Sequence, residues 1–298
     1  MHADEVPIDA PLVRQLIDTQ FPEWRDLPVT PLRSAGTDNA IYRLGADLVV
    51  RLPRRPGAQT QVEKEYRWLP KLAPALPLEV PTPIVLGRPA EGYPYHWCVC
   101  RWLLGETAVQ APIGDPARAA LDLAHFIGAL RRVDADGAPA PGPHNSGRGE
   151  PLARRDAATR DAIAQLEGRI DTRAAAAAWA WALQAPAWDR PPTWVHGDLL
   201  PTNLLIRDGR LSAVIDFGCL GAGDPACDLM AAWTVLPPEA RRAFRTALAA
   251  EDAMWRRGMG WALSFGVIAL PYYLHSNPVL AGIARLAIGE VLSEDRPV

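Results

Sequence analysis

The chain has 298 residues, which is longer than a typical domain with one hydrophobic core and therefore predicts two domains. Its 49% hydrophobic content is that of a globular protein. A net charge of −3 and a pI near 6.1 argue against a protein that wraps nucleic acid, because that function needs a basic face. The four cysteines show no Cys-x-x-Cys spacing, so we expect neither a zinc site nor a disulfide framework, and a cytoplasmic location.

The N-terminal part predicts a helix followed by an antiparallel sheet. Residues 9–20 carry apolar side chains at helical spacing, with Asp9 as the expected N-cap. The first residues lack the basic cap and the apolar stretch of a signal peptide, so we do not expect secretion. Segments rich in β-formers and joined by turn residues predict a meander over residues 29–34, 39–44 and 47–52.

Further along, a helix and two more strands are expected. Alternation along the strand at 47–52 places Val49 and Arg51 on one face of the sheet. Residues 60–72 predict a helix whose buried stripe contains Val62, Tyr66, Leu69 and Leu72. Strands are expected at residues 84–87 and 95–101.

After residue 105 the sequence predicts mainly helices. Apolar spacing indicates helices within residues 115–133 and 156–184, separated by a Pro/Gly-rich loop at 138–149 that would tolerate mobility or substrate contact. Residues 258–284 contain no Asp, Glu, Lys or Arg, but Pro271 and Pro278 interrupt the stretch. We therefore expect two buried helices that meet near Asn277, and no membrane span.

The stretch from residue 194 to 229 carries most of the candidate chemistry. His196-Gly197-Asp198 breaks a short apolar strand, which presents the Asp198 carboxylate on a loop. Asn203 opens a second apolar run that turns at Asp208-Gly209, and Asp-Gly between two β-rich runs predicts a hairpin. The hairpin should return Asp216 beside Asn203 and near Asp198.

Three oxygen-bearing side chains would then converge without His or Cys. Such a set suits Mg²⁺, which prefers one or two protein oxygens together with water and phosphate oxygens. We expect Asn203 and Asp216 to hold the metal. Asp198 then remains to take the proton from an attacking hydroxyl, the role of the base in phosphoryl transfer.

These residues carry a resemblance to a known family. His196-Gly197-Asp198, Asn203 and Ile215-Asp216-Phe217-Gly218 resemble the catalytic loop and the metal-binding Asp-Phe-Gly element of the kinase-like fold. The Gly within His-Gly-Asp, and the downstream Gly223-Asp224-Pro225, are similar to the aminoglycoside phosphotransferase family, which includes choline and macrolide kinases. The resemblance implies that His196 orients the loop, and that Asp228, at the start of a helix, caps amides and braces the loop.

The resemblance also implies a nucleotide site in the N-terminal lobe. Gly36 lies in the turn that would cover the phosphates, and Trp102 and Leu103 would bond the nucleobase edge through their backbone groups. Arg51 occupies the position where the family usually has Lys, so nucleotide geometry is the point at which this chain departs from the pattern. Glu65 is the implied partner of that cation, with Glu63 as the alternative.

The resemblance implies an α+β, two-lobed protein-kinase-like fold. Residues 1–104 would form a small nucleotide-binding lobe with an antiparallel sheet plus helices, and residues 105–298 a larger, mainly helical catalytic and acceptor-binding lobe. The implied activity is Mg²⁺-dependent transfer of the γ-phosphoryl of ATP or GTP to a hydroxyl of a small molecule, in the first place an aminoglycoside or macrolide antibiotic. A choline, sugar or amino-alcohol kinase and a catalytically silent nucleotide-binding protein are the alternatives.

Overall fold

A computed structural model of the chain describes residues 6–32 and 38–294. The chain divides into two compact units: Met1–Pro74, Glu79–Leu104 and Ala213–Gly218 form the first, and the remaining residues form the second. The expected α+β class is confirmed, because an antiparallel sheet lies in the N-terminal part and most of the rest is helical. In this division residues 75–78 belong to the second unit and residues 213–218 to the first.

The first unit is built on a five-stranded sheet in the order β1-β2-β3-β5-β4. All four pairings are antiparallel, so the predicted meander is confirmed. The strands are β1 (Val29–Leu32), β2 (Asn39–Leu44), β3 (Leu48–Pro53), β4 (Pro83–Gly87) and β5 (Trp97–Arg101).

The sheet of the first unit carries one apolar cluster on each face. Helix α1 (Ala10–Gln20) begins at the predicted cap Asp9 and buries Val13, Leu16 and Ile17 against Val50, Leu52 and Val99. Val49 belongs to the other cluster, with Val62 of helix α2 (Pro56–Leu72) and two cysteines of β5. Strand alternation thus places Val49 and Arg51 on one face of the sheet, as the sequence predicts, and in the structure that face packs against α2.

Helix α2 differs from the expectation in two respects. It begins at Pro56 rather than at residue 60, since a proline is well tolerated at the first helical position and already has the helical φ. Tyr66 is exposed, and Glu65 and Trp68 are buried in its place. The predicted buried face of α2 was therefore wrong at Tyr66. The buried position is taken by Glu65, a charged residue that can be buried because it has a partner.

The second unit is mainly helical. The two helices expected around Asn277 are present as α8 and α9, and the Asn277 side chain caps α9 by accepting from the Leu280 amide. The helices after β5 are α3 (Pro116–Arg132), α4 (Asp156–Gln165), α5 (Thr172–Leu183), α6 (Ala231–Thr234), α7 (Pro238–Ala247), α8 (Asp252–Tyr273) and α9 (Pro278–Leu292). Within the described ranges, no helix combines the length and the apolarity that a membrane crossing requires.

Short strands frame the loops of the second half of the chain. The predicted hairpin is confirmed: β8 and β9 are neighbours in a sheet of order β6-β8-β9, and Asp208 and Gly209 at the turn both have positive φ. β7 pairs antiparallel with β10. The bounds are β6 (Glu106–Thr107), β7 (Thr193–Val195), β8 (Leu204–Arg207), β9 (Arg210–Val214) and β10 (Gly221–Gly223).

Candidate active site

The loop after β7 carries the candidate base. Strand β7 is largely buried and ends at Val195, which pairs with Gly221 of β10. The loop that follows therefore starts from a fixed position. His196 is fully buried, and its Nδ1 accepts a hydrogen bond from the Asp198 amide at 3.1 Å. This bond makes Nδ1 an acceptor and orients the ring, which agrees with the expected role of His196.

Asp228 binds the backbone of this loop. Its Oδ2 accepts from the His196 amide at 2.9 Å and its Oδ1 from the Gly197 amide at 2.7 Å. Burial raises the pKa of Asp228 to about 6, although the two amide bonds act in the opposite direction. The expected bracing is confirmed, but the helix cap is Asp224, which accepts from the Ala226 amide at the start of a 3-10 helix over Pro225–Met230.

Asn203 fixes the Asp198 carboxylate. The Asn203 Nδ2 donates to the Asp198 carbonyl at 2.8 Å and to its carboxylate Oδ2 at 2.9 Å. Both donor hydrogens of the amide are thereby used within the loop, and Oδ1 is the atom through which the Asn203 side chain would bind a metal. A quarter of the Asp198 side chain remains exposed, so the carboxylate is accessible to an incoming group.

Arg148 is a charged neighbour of Asp198 that the sequence did not reveal. Its Nη2 lies 3.6 Å from the Asp198 Oδ1, and only 8% of the residue is exposed. Burial disfavours the charged form, but Cys219 and Asp198 outweigh it and raise the pKa of Arg148. The residue lies in the Pro/Gly-rich loop at 138–149, where neither periodicity nor a motif marks it.

In the first unit, Arg51 pairs with Glu65. Both terminal nitrogens of Arg51 donate to the Glu65 carboxylate, one of them at 3.3 Å, and both residues are buried. Burial works against the cation, but the Glu65 carboxylate raises the pKa of Arg51. The predicted partner is therefore present, whereas Glu63 contacts His96 and Gln59.

Asp216 lies near this ion pair. Its carboxylate raises the pKa of both Arg51 and Glu65 through space, although for Glu65 burial is the larger cause. Asp216 has a φ of 62°, in the left-handed region, and its Oδ1 accepts from the Gly218 amide at 3.3 Å. Lys64 of α2 donates to the Gly218 carbonyl at 2.7 Å, so the helix that carries Glu65 also holds this turn. The sequence did not single out Lys64.

The remaining predicted residues concern the nucleobase and the phosphate cover. The Trp102 amide donates to the Asp47 carbonyl at 2.7 Å, so only the carbonyl of Trp102 is left for a nucleobase, together with the backbone of Leu103. The expectation is corrected in that one respect. Gly36 lies outside the described residues. The structure thus brings together Asp198 with Asn203, and Arg51 and Glu65 with Asp216.

Comparisons with known proteins show the family to which the chain belongs. The pattern of the phosphotransferase enzyme family matches residues 29–261, and the chain therefore belongs to this family. A search of curated protein sequences found no match.

Solved structures of phosphotransferases share the fold. The GDP and kanamycin complex of APH(2")-IIia is 20% identical with a TM-score of 0.72, covering 93% of this chain and 97% of the other. The ADP-bound aminoglycoside phosphotransferase APH(2'')-Ib is 15% identical with a TM-score of 0.60, covering 95% and 99%. The macrolide 2'-phosphotransferase MphH from Brachybacterium faecium, as apoenzyme, is 21% identical with a TM-score of 0.63, covering 98% and 100%. The expected kinase-like fold is thereby confirmed.

Proposed function

We propose that the protein transfers the γ-phosphoryl group of ATP or GTP to a hydroxyl of a small molecule. The observation that carries the proposal is the Asp198 carboxylate, which is partly exposed while its loop is fixed by Asn203 and Asp228. Phosphoryl transfer depends mainly on positioning and on charge stabilisation, so a base held in one orientation is the feature that it requires.

In the proposed reaction, Asp198 is the general base. Its carboxylate accepts the proton of the acceptor hydroxyl as the new O–P bond forms, and the bond from the γ-phosphorus to the bridging oxygen breaks. The nucleoside diphosphate leaves with that bond's electron pair. Asn203 holds Oδ2 throughout, so the carboxylate does not have to be ordered when the acceptor binds.

We assign metal binding to Asn203 and Asp216. The donor set fits Mg²⁺, since an amide oxygen and a carboxylate are hard ligands, and the hydrogens of the Asn203 amide are already bonded. When bound, Mg²⁺ would neutralise charge on the nucleotide phosphates. The left-handed backbone at Asp216 and its bond to the Gly218 amide hold the carboxylate at the tip of a turn.

Nucleotide binding is assigned to the first unit. Arg51 would meet phosphate oxygens and Glu65 would orient it, while Leu103 and the Trp102 carbonyl would take the nucleobase edge. Gly36 would cover the phosphates. The solved relatives with bound GDP or ADP support a nucleotide co-substrate.

An aminoglycoside or macrolide-type antibiotic is the proposed acceptor class. Support comes from the family and from the kanamycin complex and the macrolide 2'-phosphotransferase among the structural relatives. A choline, sugar or amino-alcohol acceptor is the alternative. The helices of the second unit would form the acceptor site in each case, so the family alone does not decide between these acceptors.

One observation favours a silent nucleotide-binding protein instead. Both terminal nitrogens of Arg51 donate to Glu65, so the fork of the guanidinium that could bind phosphate oxygens in a bidentate manner is already used within the protein. The complete set of Asp198, Asn203 and Asp216 counts against this reading, because a silent site has no need of all three.

A substrate screen tests the proposal. Purified protein with Mg²⁺ and either ATP or GTP is assayed for diphosphate release with kanamycin, gentamicin, a macrolide, choline and a set of sugars and amino alcohols. We expect acceptor-dependent turnover with at least one antibiotic. Turnover with choline or a sugar alone would move the assignment to a metabolite kinase, and nucleotide binding without any transfer would support the silent protein.

A further inference from the structure

The loop over residues 138–149 is a built element rather than a flexible connection. Asn145 is 1% exposed; its Oδ1 accepts from the Gly142 amide at 3.0 Å, and its Nδ2 donates to the Arg148 carbonyl at 3.0 Å. One side chain thus joins the two ends of the turn that precedes Arg148. A buried amide with both functions bonded gives its loop a single conformation.

The same loop is bonded to the strand and turn beyond the catalytic residues. The Ala222 amide donates to the Pro139 carbonyl at 2.9 Å, and the Asp224 amide to the Gly149 carbonyl at 2.8 Å. A side-chain carbon on Gly223 would lie 2.3 Å from the Gly149 carbonyl oxygen, so only glycine permits this approach. These contacts fix Arg148 on both sides along the chain.

Arg148 is directed at the catalytic loop. Its side chain passes over Gly197, where an added side-chain carbon would come within 2.8 Å of the Arg148 Cβ, and ends 3.6 Å from the Asp198 Oδ1. The guanidinium lies 5.5 Å from the Trp261 ring centroid. Within the described part of the chain, its buried Nε has no hydrogen-bond partner.

An N–H that is buried without a hydrogen bond costs free energy, and a buried ion pair is weak evidence for stability, so stability alone does not account for the position of Arg148. What the position does provide is a second restraint on the base. Asn203 binds Oδ2 of Asp198 and Arg148 lies at Oδ1, so each carboxylate oxygen has its own neighbour. A neighbour at each oxygen restrains the rotation of a carboxylate about its terminal bond more tightly than a bond to one oxygen does.

We propose that Arg148 is a positioning residue of the phosphoryl-transfer reaction, which holds the Asp198 carboxylate in its working orientation from the side opposite Asn203. This inference rests on the proposed function, in which Asp198 is the base. It assigns a positioning task to the loop over residues 138–149, for which the sequence predicted mobility or substrate contact.

The test compares Arg148→Met and Arg148→Lys with the matched control Arg155→Met. Arg155 lies on the same Trp261 ring, at 4.7 Å from its centroid, but its guanidinium bonds Ser264 and the Ser146 carbonyl instead of Asp198. Transfer from GTP or ATP is measured with kanamycin or a macrolide, whichever the wild type phosphorylates, and otherwise as phosphate release to water.

For Arg148→Met we expect kcat to fall by at least about tenfold, with KM for nucleotide and acceptor changed by less than about threefold, because orientation and not binding is lost. Arg148→Lys should recover part of kcat, and Arg155→Met should keep kcat within about threefold of the wild type. Arg148→Gln replaces Arg148→Met, with the same expectation, if the methionine variant does not fold.

A double-mutant cycle with Asp198→Asn distinguishes positioning from a general structural effect. If Arg148 acts through Asp198, adding Arg148→Met to Asp198→Asn should lower the residual rate by no more than about twofold. Full additivity, an unchanged kcat in Arg148→Met, or an equal loss in Arg155→Met would overturn the inference alone. A wild-type protein that neither transfers nor hydrolyses would overturn the proposed function and this inference with it.

Discussion

The guanidinium of Arg51 uses both terminal nitrogens on Glu65, and both side chains are buried. Removing one member of a buried ion pair leaves the other charge unpaired, and here it would also remove the cation assigned to the phosphates. Arg51→Ala should therefore lower kcat/KM by at least tenfold, about 1.4 kcal/mol of transition-state stabilisation. Arg51→Lys should retain more activity than Arg51→Ala.

Arg54 provides the control for that measurement. It directly follows β3, and in the described part of the chain Glu65 pairs with Arg51 instead. Steady-state kinetics of Arg51→Ala, Arg51→Lys and Arg54→Ala separate the two positions. An unchanged kcat/KM in Arg51→Ala together with a loss in Arg54→Ala would move the phosphate contact to Arg54.

Asp228 gives stability a defined pH dependence. Its pKa of about 6 in the folded protein lies above the ordinary value of 3.8, so between these values the folded state binds the proton more tightly than the unfolded state. The contribution is fully present below pH 3.8 and is lost as the pH rises through about 6, at most about 3 kcal/mol in all. Denaturant titrations of wild type and Asp228→Asn at several pH values should show the variant gaining relative stability over that range. A pH-independent difference would contradict this assignment.

The positions of several residues of the candidate site could be predicted from the sequence. Asp198, Asn203 and Asp216 lie within one hairpin and its flanks, the direction of Arg51 follows from strand alternation, and Glu65 as its partner was implied by the family resemblance. Arg148 could not be predicted, because its position depends on a loop conformation set by Asn145 and by contacts with residues far along the chain. The hydrogen bond from the Trp102 amide to the Asp47 carbonyl is likewise a tertiary contact, which no local sequence pattern predicts.

At the scale of elements, the loop after β7 depends on Gly197. Its φ of +82° is strained for other residues, and a side-chain carbon there would lie 2.8 Å from the Arg148 Cβ and 2.9 Å from the Cys219 carbonyl oxygen. Gly197→Ala should lower the unfolding free energy by about 3 kcal/mol or more, since backbone strain and a clash with fixed atoms add up.

Gly168→Ala isolates the backbone part of that effect. Gly168 has a φ of +74°, but an added carbon there meets nothing within 4 Å. We expect a loss of about 1 kcal/mol at Gly168, measured by chemical denaturation beside Gly197→Ala. Equal losses at the two positions would show that the contact with Arg148 does not constrain the loop.

The types and order of the helices and strands followed from sequence periodicity, whereas the start of α2 and its buried face did not. The helical and strand segments predicted around residues 9–20, 39–44 and 115–133 correspond to α1, β2 and α3. Helix α2 begins at Pro56, earlier than the predicted residue 60, because proline suits a first helical position. Its buried face also includes Glu65, which hydrophobic periodicity cannot identify.

The net charge of the whole molecule affects how strongly a charged acceptor is attracted to it. The chain carries a formal charge of −3, so a polycationic aminoglycoside would be attracted to it, and added salt would screen that attraction. The apparent KM for kanamycin should therefore rise with NaCl between low and physiological ionic strength, while KM for a neutral sugar should change little. A KM that is insensitive to salt for every acceptor turned over would favour macrolide-like or sugar acceptors.

Melting temperatures with and without Mg²⁺ and nucleotide, measured beside activity, separate the proposed base Asp198 from the proposed metal ligands Asn203 and Asp216. Asp198→Asn should lower transfer by at least about a hundredfold, to a small residual rate, but keep the nucleotide- and Mg²⁺-dependent rise in melting temperature, since the new amide can still present an oxygen to Asn203 and ligand binding stabilises the native state. Asp216→Asn should lose both transfer and most of the Mg²⁺-dependent rise. Equal metal-dependent shifts in the two variants, with transfer retained in Asp198→Asn, would contradict the account.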